Sequence, residues 1–102
     1  MPITSINNGK EFEQIVNSGK PVVVDFHADC SLTLREFREL SDTFIGINFY
    51  RVNVDDLEDV ALEADVRVVP TYMVYKDGKI MGQTTGIDSR NLHAMMRLHG
   101  GV

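Results

Sequence analysis

The stretch Val22-Val23-Val24-Asp25-Phe26 constrains this chain more than any other. A strand with one wet face alternates apolar and polar residues, whereas three consecutive valines leave no face for water. Such a run predicts a central strand covered on both sides. Lys20-Pro21 ahead of it breaks the preceding pattern. Upstream, Asn8 followed three residues later by Glu11 has the form of a capping box. Phe12, Ile15 and Val16 then recur at helical spacing until Gly19, which predicts a short amphipathic helix.

Downstream, Leu34, Phe37, Leu40 and Phe44 return at three- and four-residue spacing. They predict a second helix that begins near Cys30 or Thr33 and lasts to about Thr43. Ile47, Phe49, Val52 and Val54 suit another strand, and Leu57 to Ala64 a short helix. Asp55, Asp56, Glu58 and Asp59 stand at the end of that helix where its dipole favours negative charge. Thr71 to Tyr75 and Ile80 to Thr85 flank Lys76-Asp77-Gly78-Lys79, a hairpin turn signal. Asp88 or Ser89 caps a last helix with Leu92, Met95, Met96 and Leu98 on its inner face. The expected order is strand, helix, strand, helix, strand, helix, hairpin, helix. That is an α/β fold whose mixed central sheet, a parallel unit plus a C-terminal antiparallel hairpin, is flanked by helices.

A chain of 102 residues with 43% hydrophobic content can bury one core, so a single domain over residues 1–102 is expected. Ten Lys plus Arg against 15 Asp plus Glu give a formal charge of -5, which argues against nucleic acid or an anionic membrane as partner. No apolar stretch approaches the ~20 residues of a membrane span. The Met1-Pro2-Ile3-Thr4 start lacks a charged segment followed by an apolar core, and a cytoplasmic location is expected. One cysteine, Cys30, forms no intramolecular disulfide, so the fold must stand on packing, which suits a reducing compartment.

Two segments carry a family resemblance. Val22 to Phe26 and the residues after it resemble thioredoxin, whose buried Val-Asp-Phe strand runs through Trp-Ala-x-Trp into Cys-Gly-Pro-Cys at a helix N-terminus. Val69-Pro70-Thr71 leading into Tyr72-Met73-Val74-Tyr75 is similar to that family's Ile-Pro-Thr or Met-Pro-Thr turn, whose proline is cis and faces the cysteines. Val52-Asn53-Val54-Asp55-Asp56 and Val60 to Val66 resemble the eukaryotic cytosolic branch, and Gly82 and Gly86 fall where the family keeps glycines. The resemblance covers essentially the whole chain and implies the thioredoxin fold. It departs at His27-Ala28-Asp29-Cys30-Ser31-Leu32-Thr33-Leu34, which lacks the dithiol, and the segment from Phe26 to Leu40 is shorter than its counterpart.

Three alignments of Cys30 stay open. Counting forward from Phe26 puts Cys30 on the second tryptophan and leaves no thiol in a catalytic position. Counting back from Leu40 puts His27 on the first cysteine and Cys30 on the second. A contracted loop puts Cys30 on the attacking cysteine and makes Cys30-Ser31-Leu32-Thr33 a monothiol Cys-x-x-Thr motif. In that register the helix N-terminus lowers the thiol pKa below its usual ~8.5, and Thr33 lies one turn on, able to donate to the sulfur. Thr33 cannot resolve a mixed disulfide, so an outside thiol, glutathione as co-substrate, finishes the reaction. The bland alternative makes Cys30 a small apolar residue at a loop–helix junction.

The resemblance also implies roles for other residues. Asp25 matches the family's buried carboxylate, a general acid or base helped by a lysine whose place Arg51 takes here. Burial should raise its pKa, opposed by Arg51; its alternative role is a retained buried ion pair. Val69, Pro70 and Thr71 would hold a substrate strand by backbone hydrogen bonds. His27 replaces the first tryptophan and would frame substrate or pair with the thiol. His27, Asp29 and Cys30 lack the spacing of a structural zinc motif, so no metal and no bound cofactor are expected. His93 and His99 look like surface residues. Two functions follow: a monothiol thiol-disulfide or glutathione-linked oxidoreductase using Cys30, distinct from an ordinary dithiol thioredoxin, or a redox-inactive binding module that holds a peptide or protein partner in the groove beside Pro70. The expected state is a monomer or a Cys30-linked dimer.

Overall fold

A computed structural model of the protein describes residues 3–28, 34–44, 46–86 and 89–99. Its elements run β1 (Thr4–Ser5), α1 (Gly9–Val16), β2 (Val22–His27), α2 (Leu34–Thr43), β3 (Asn48–Asn53), α3 (Glu58–Glu63), β4 (Thr71–Lys76), β5 (Lys79–Thr85) and α4 (Ser89–His99). The sheet order is β1-β3-β2-β4-β5. β3 lies parallel to both β1 and β2, whereas β4 lies antiparallel to β2 and β5. The triple-valine strand is therefore the middle one, and Val22 through Phe26 are wholly buried.

Successive side chains of a strand point to opposite faces, so β2 feeds two cores. Val22, Val24 and Phe26 join Met73 beneath Phe12 and Val16 of α1 and Val60 of α3. Val23 joins Phe49, Tyr72 and Val74 beneath Phe37 and Leu40 of α2 and Leu92, Met95 and Met96 of α4. Aromatic rings lock each layer. Phe12 meets Phe26 and Tyr75 edge-on at 6.1 and 5.6 Å, while Phe37 meets Phe49 at 5.0 Å and Tyr72 at 5.6 Å.

Local chemistry explains where elements start and stop. Asn8 Oδ1 accepts from the Glu11 N–H at 2.8 Å, capping α1. The helix ends at Val16 and not at Gly19: the Asn17 N–H makes the last helical bond, to the Glu13 carbonyl, and the Ser18 N–H then turns to the Ile15 carbonyl at 3.2 Å in a tighter closing turn; Gly19, at φ +85°, belongs to the turn that follows. The β4–β5 hairpin turns through Asp77 and Gly78 at φ +53° and +78°, the double positive φ that a two-residue turn matching strand twist requires. Leu98 is corrected: it is 76% exposed. It follows Met96 by two residues, which places it across the helix from the buried stripe. β1 is two exposed residues with no apolar pattern, held by its pairing of Thr4 with Tyr50 and Ser5 with Arg51. Among the described residues no helix is long and apolar enough to cross a membrane.

Candidate functional site

Asp25 stands on the central strand opposite Arg51 of β3 and Tyr72 of β4. Alternation sends all three side chains toward the α2/α4 layer. His27, two residues beyond Asp25, and Asn53, two beyond Arg51, extend the same face to the C-terminal ends of β2 and β3. The face that carries Val23 and Val74 in its apolar half thus turns polar at one end. An ion pair and a phenol lie there.

Asp25 is completely buried. Arg51 Nε donates to its Oδ2 at 3.0 Å, with 13% of the arginine side chain exposed. Its Oδ1 has no hydrogen-bond partner among the described residues. Burial pushes the carboxyl up from an ordinary 3.8 to about 6, and the Arg51 charge and hydrogen bond only partly oppose it. A carboxyl with that affinity changes protonation just below neutral pH and can give or take a proton there. A cleft of about 260 Å³, lined by Arg51, His27, Asn53, Ser5 and Asp56 among others, reaches the arginine side of the pair.

The second half of the site is the turn into β4. The Val69–Pro70 peptide bond is cis. Pro70 is buried, Thr71 is buried as the first residue of β4, and Val68 and Val69 are 54% and 41% exposed. Thr71 Oγ1 donates to the Val68 carbonyl at 2.6 Å and the Gly86 N–H donates to the Pro70 carbonyl at 3.0 Å, which fix the turn from both sides. The backbone of Val69 makes no hydrogen bond to a described residue. An exposed strand-end residue with free amide and carbonyl groups next to exposed apolar side chains is suited to an added peptide strand.

Of the residues expected to form the site, Asp25, His27, Val69, Pro70 and Thr71 come from the adjoining ends of β2 and β4, Asp25 and His27 on the α2/α4 face. Cys30 and Thr33 lie outside the described residues. Tyr72 was missed. Counting back along β4 from the buried Val74 puts it on the α2/α4 face, but only the strand pairing sets it opposite Asp25. His93 is exposed. Among the described residues no group of His, Cys, Asp and Glu could hold a metal ion.

Comparison with known proteins agrees with this geometry. The family model described as Thioredoxin matches residues 3–97. The chain is 33% identical over 100 residues to thioredoxin-2 of Pyricularia oryzae, covering 94% of itself and 58% of that longer relative. It is 31% identical over 99 residues to thioredoxin-1 of Schizosaccharomyces pombe, covering 93% of itself and 96% of the relative. The crystal structure of Malassezia sympodialis thioredoxin superposes with a TM-score of 0.93 at 29% identity, over 99% of this chain and 96% of that one.

Proposed function

Since this chain belongs to the thioredoxin family, with that family's fold, we propose that it acts as a monothiol thiol-disulfide oxidoreductase on protein substrates through Cys30. The observation that carries the reading is Asp25, a fully buried carboxyl kept titratable near pH 6 on the strand that runs directly into the cysteine segment. A purely structural position on a central strand would be filled at lower cost by an apolar residue.

In the proposed reaction the Cys30 thiolate attacks one sulfur of a substrate disulfide. A Cys30–substrate disulfide forms, the substrate S–S bond breaks, and the second substrate sulfur leaves as thiolate and takes up a proton. One glutathione displaces the substrate and leaves Cys30 glutathionylated; a second glutathione displaces Cys30 and departs as glutathione disulfide. The balance is one disulfide reduced and two glutathiones oxidised. Thr33 donates to the Cys30 sulfur, Asp25 stores and returns a proton, and Val69 to Thr71 hold the substrate strand with His27 at its edge. A reducing compartment, the cytoplasm, supplies the glutathione. The protein works as a monomer that links through Cys30 to a second copy on oxidation.

The test is the alkylation rate of Cys30 against pH, read by mass spectrometry. An apparent pKa well below ~8.5 is expected. Thr33→Val should raise it by removing a donor, and Asp25→Asn should lower it by removing a nearby negative charge. Reductase-coupled insulin reduction should be absent, since no second cysteine is present. Slow labelling, unmoved by either variant, would overturn the redox role. The exposed Val68 and Val69 favour a second reading in that event: the same groove holds a peptide without electron transfer.

A further inference from the structure

Asn8 is followed by Gly9, the single Asn-Gly pair in the chain. An asparagine side-chain carbon can be attacked by the backbone nitrogen of the next residue, and glycine resists this least: it has no Cβ to shield the nitrogen, and its backbone turns freely. Here both partners can be reached. Asn8 and Gly9 are exposed, and both border a cleft of about 370 Å³, large enough for water. Gly9 opens α1, so its N–H has no carbonyl of a preceding helical turn to bind, and it makes no hydrogen bond to a described residue. One contact restrains the amide. Asn8 Oδ1 accepts from the Glu11 N–H at 2.8 Å as the cap of α1, while its Nδ2 makes no hydrogen bond to a described residue.

We propose that Asn8–Gly9 is a site of spontaneous deamidation gated by the cap of α1. When the first turn frays and Oδ1 leaves the Glu11 N–H, the Gly9 nitrogen, having given its proton to hydroxide, attacks Asn8 Cγ. A C–N bond forms, the Cγ–Nδ2 bond breaks, and Nδ2 departs as ammonia with a proton from water, which regenerates the hydroxide. Water then opens the cyclic imide, at Cγ to give aspartate or at the backbone carbonyl to give isoaspartate. The balance is one water consumed and one ammonia released. Aspartate keeps an oxygen in place for the Glu11 N–H and puts a negative charge where the helix dipole favours it. It also joins Asp55, Asp56, Glu58 and Asp59 around the same cleft, on a chain already at -5. Isoaspartate runs the main chain through the side-chain carbons and carries the carboxylate off the cap, which loosens the turn that holds the buried Phe12. The age of a molecule is thus written at the start of α1 as an added charge or a lost cap. The site shares no residue with the Asp25 and Val69–Thr71 cluster, so it stands apart from the redox proposal.

The experiment incubates the folded protein and the guanidinium-unfolded chain side by side at pH 8 and reads each asparagine by peptide mass spectrometry, with isoaspartyl methyltransferase labelling isoaspartate. Conversion of Asn8 is expected in the folded protein, slower at pH 6, and roughly fivefold slower than in the unfolded chain, the factor by which a cap of ordinary strength holds the amide. Gly9→Ala should slow it roughly tenfold in the folded protein by shielding the nitrogen. A Cβ at Gly9 meets Val60 Cγ2 at 3.6 Å, an ordinary contact, so this variant keeps the fold. The isoaspartate fraction should melt below the unmodified protein, whereas Asn8→Asp should melt with it. Conversion of Asn8 in the unfolded chain alone, an unchanged rate in Gly9→Ala, or conversion of Asn17 ahead of Asn8 in the folded protein would overturn the proposal.

Discussion

Asp25 is the residue at which this fold gives up stability. Its carboxyl binds a proton more tightly folded, at about 6, than at its ordinary 3.8, so the native state holds the extra proton between those values. The stability contribution is therefore largest below about pH 4, falls as pH rises toward 6, and is fully lost above it. The gap converts to at most ~3 kcal/mol at ~1.4 kcal/mol per pH unit. Asp25→Asn should accordingly stabilise the protein at pH 8 by ~1–2 kcal/mol, since Arg51 loses its partner and returns part of the gain, and should change little at pH 4. Urea unfolding of both proteins at the two pH values checks this, and an equal difference at both would show that Asp25 does not titrate in this range. The sequence made Asp25 and its arginine legible, because a carboxylate inside an apolar strand demands a partner. Tyr72 was not legible as a site residue, since only strand pairing sets it against Asp25.

Elements here are set by short-range chemistry where backbone geometry is extreme, and by packing elsewhere. The hairpin belongs to the first kind. Gly78, at φ +78°, donates its N–H to the Val16 carbonyl at 2.8 Å, and a Cβ there would collide with Asn17 Oδ1. Gly78→Ala should cost ~1–2 kcal/mol from left-handed strain and from displacing Asn17, lowering the melting temperature by several degrees. An unchanged melting temperature would mean that the hairpin reorganises freely. The turn could be read from Asp77-Gly78 alone, as could the α1 cap from Asn8 and Glu11. The end of α1 could not: it depended on Asn17 closing the helix before Gly19 was reached. The two-residue β1 could not be placed from its residues either, because its only structural content is the pairing with β3.

At the scale of the molecule, two cores share one sheet, and the α2/α4 core lies directly beneath the proposed site. Phe37 is fully buried against Phe49 and Tyr72. Phe37→Ala should therefore cost ~3–5 kcal/mol by leaving a cavity, whereas Leu98→Ala, on the exposed side of α4, should stay within ~0.5 kcal/mol. Denaturant midpoints distinguish the two, and similar losses would mean that Leu98 packs where the fold leaves it exposed. The apolar runs and helical stripes were enough by themselves to determine the element order from α1 onward, the central position of the valine strand and the two-sided core, because three consecutive apolar strand residues leave no face for water. Only the tertiary structure decided which polar residues meet. Asp25, Arg51 and Tyr72 come together through register and crossover, and a linear periodicity carries no information about which strand lies beside which.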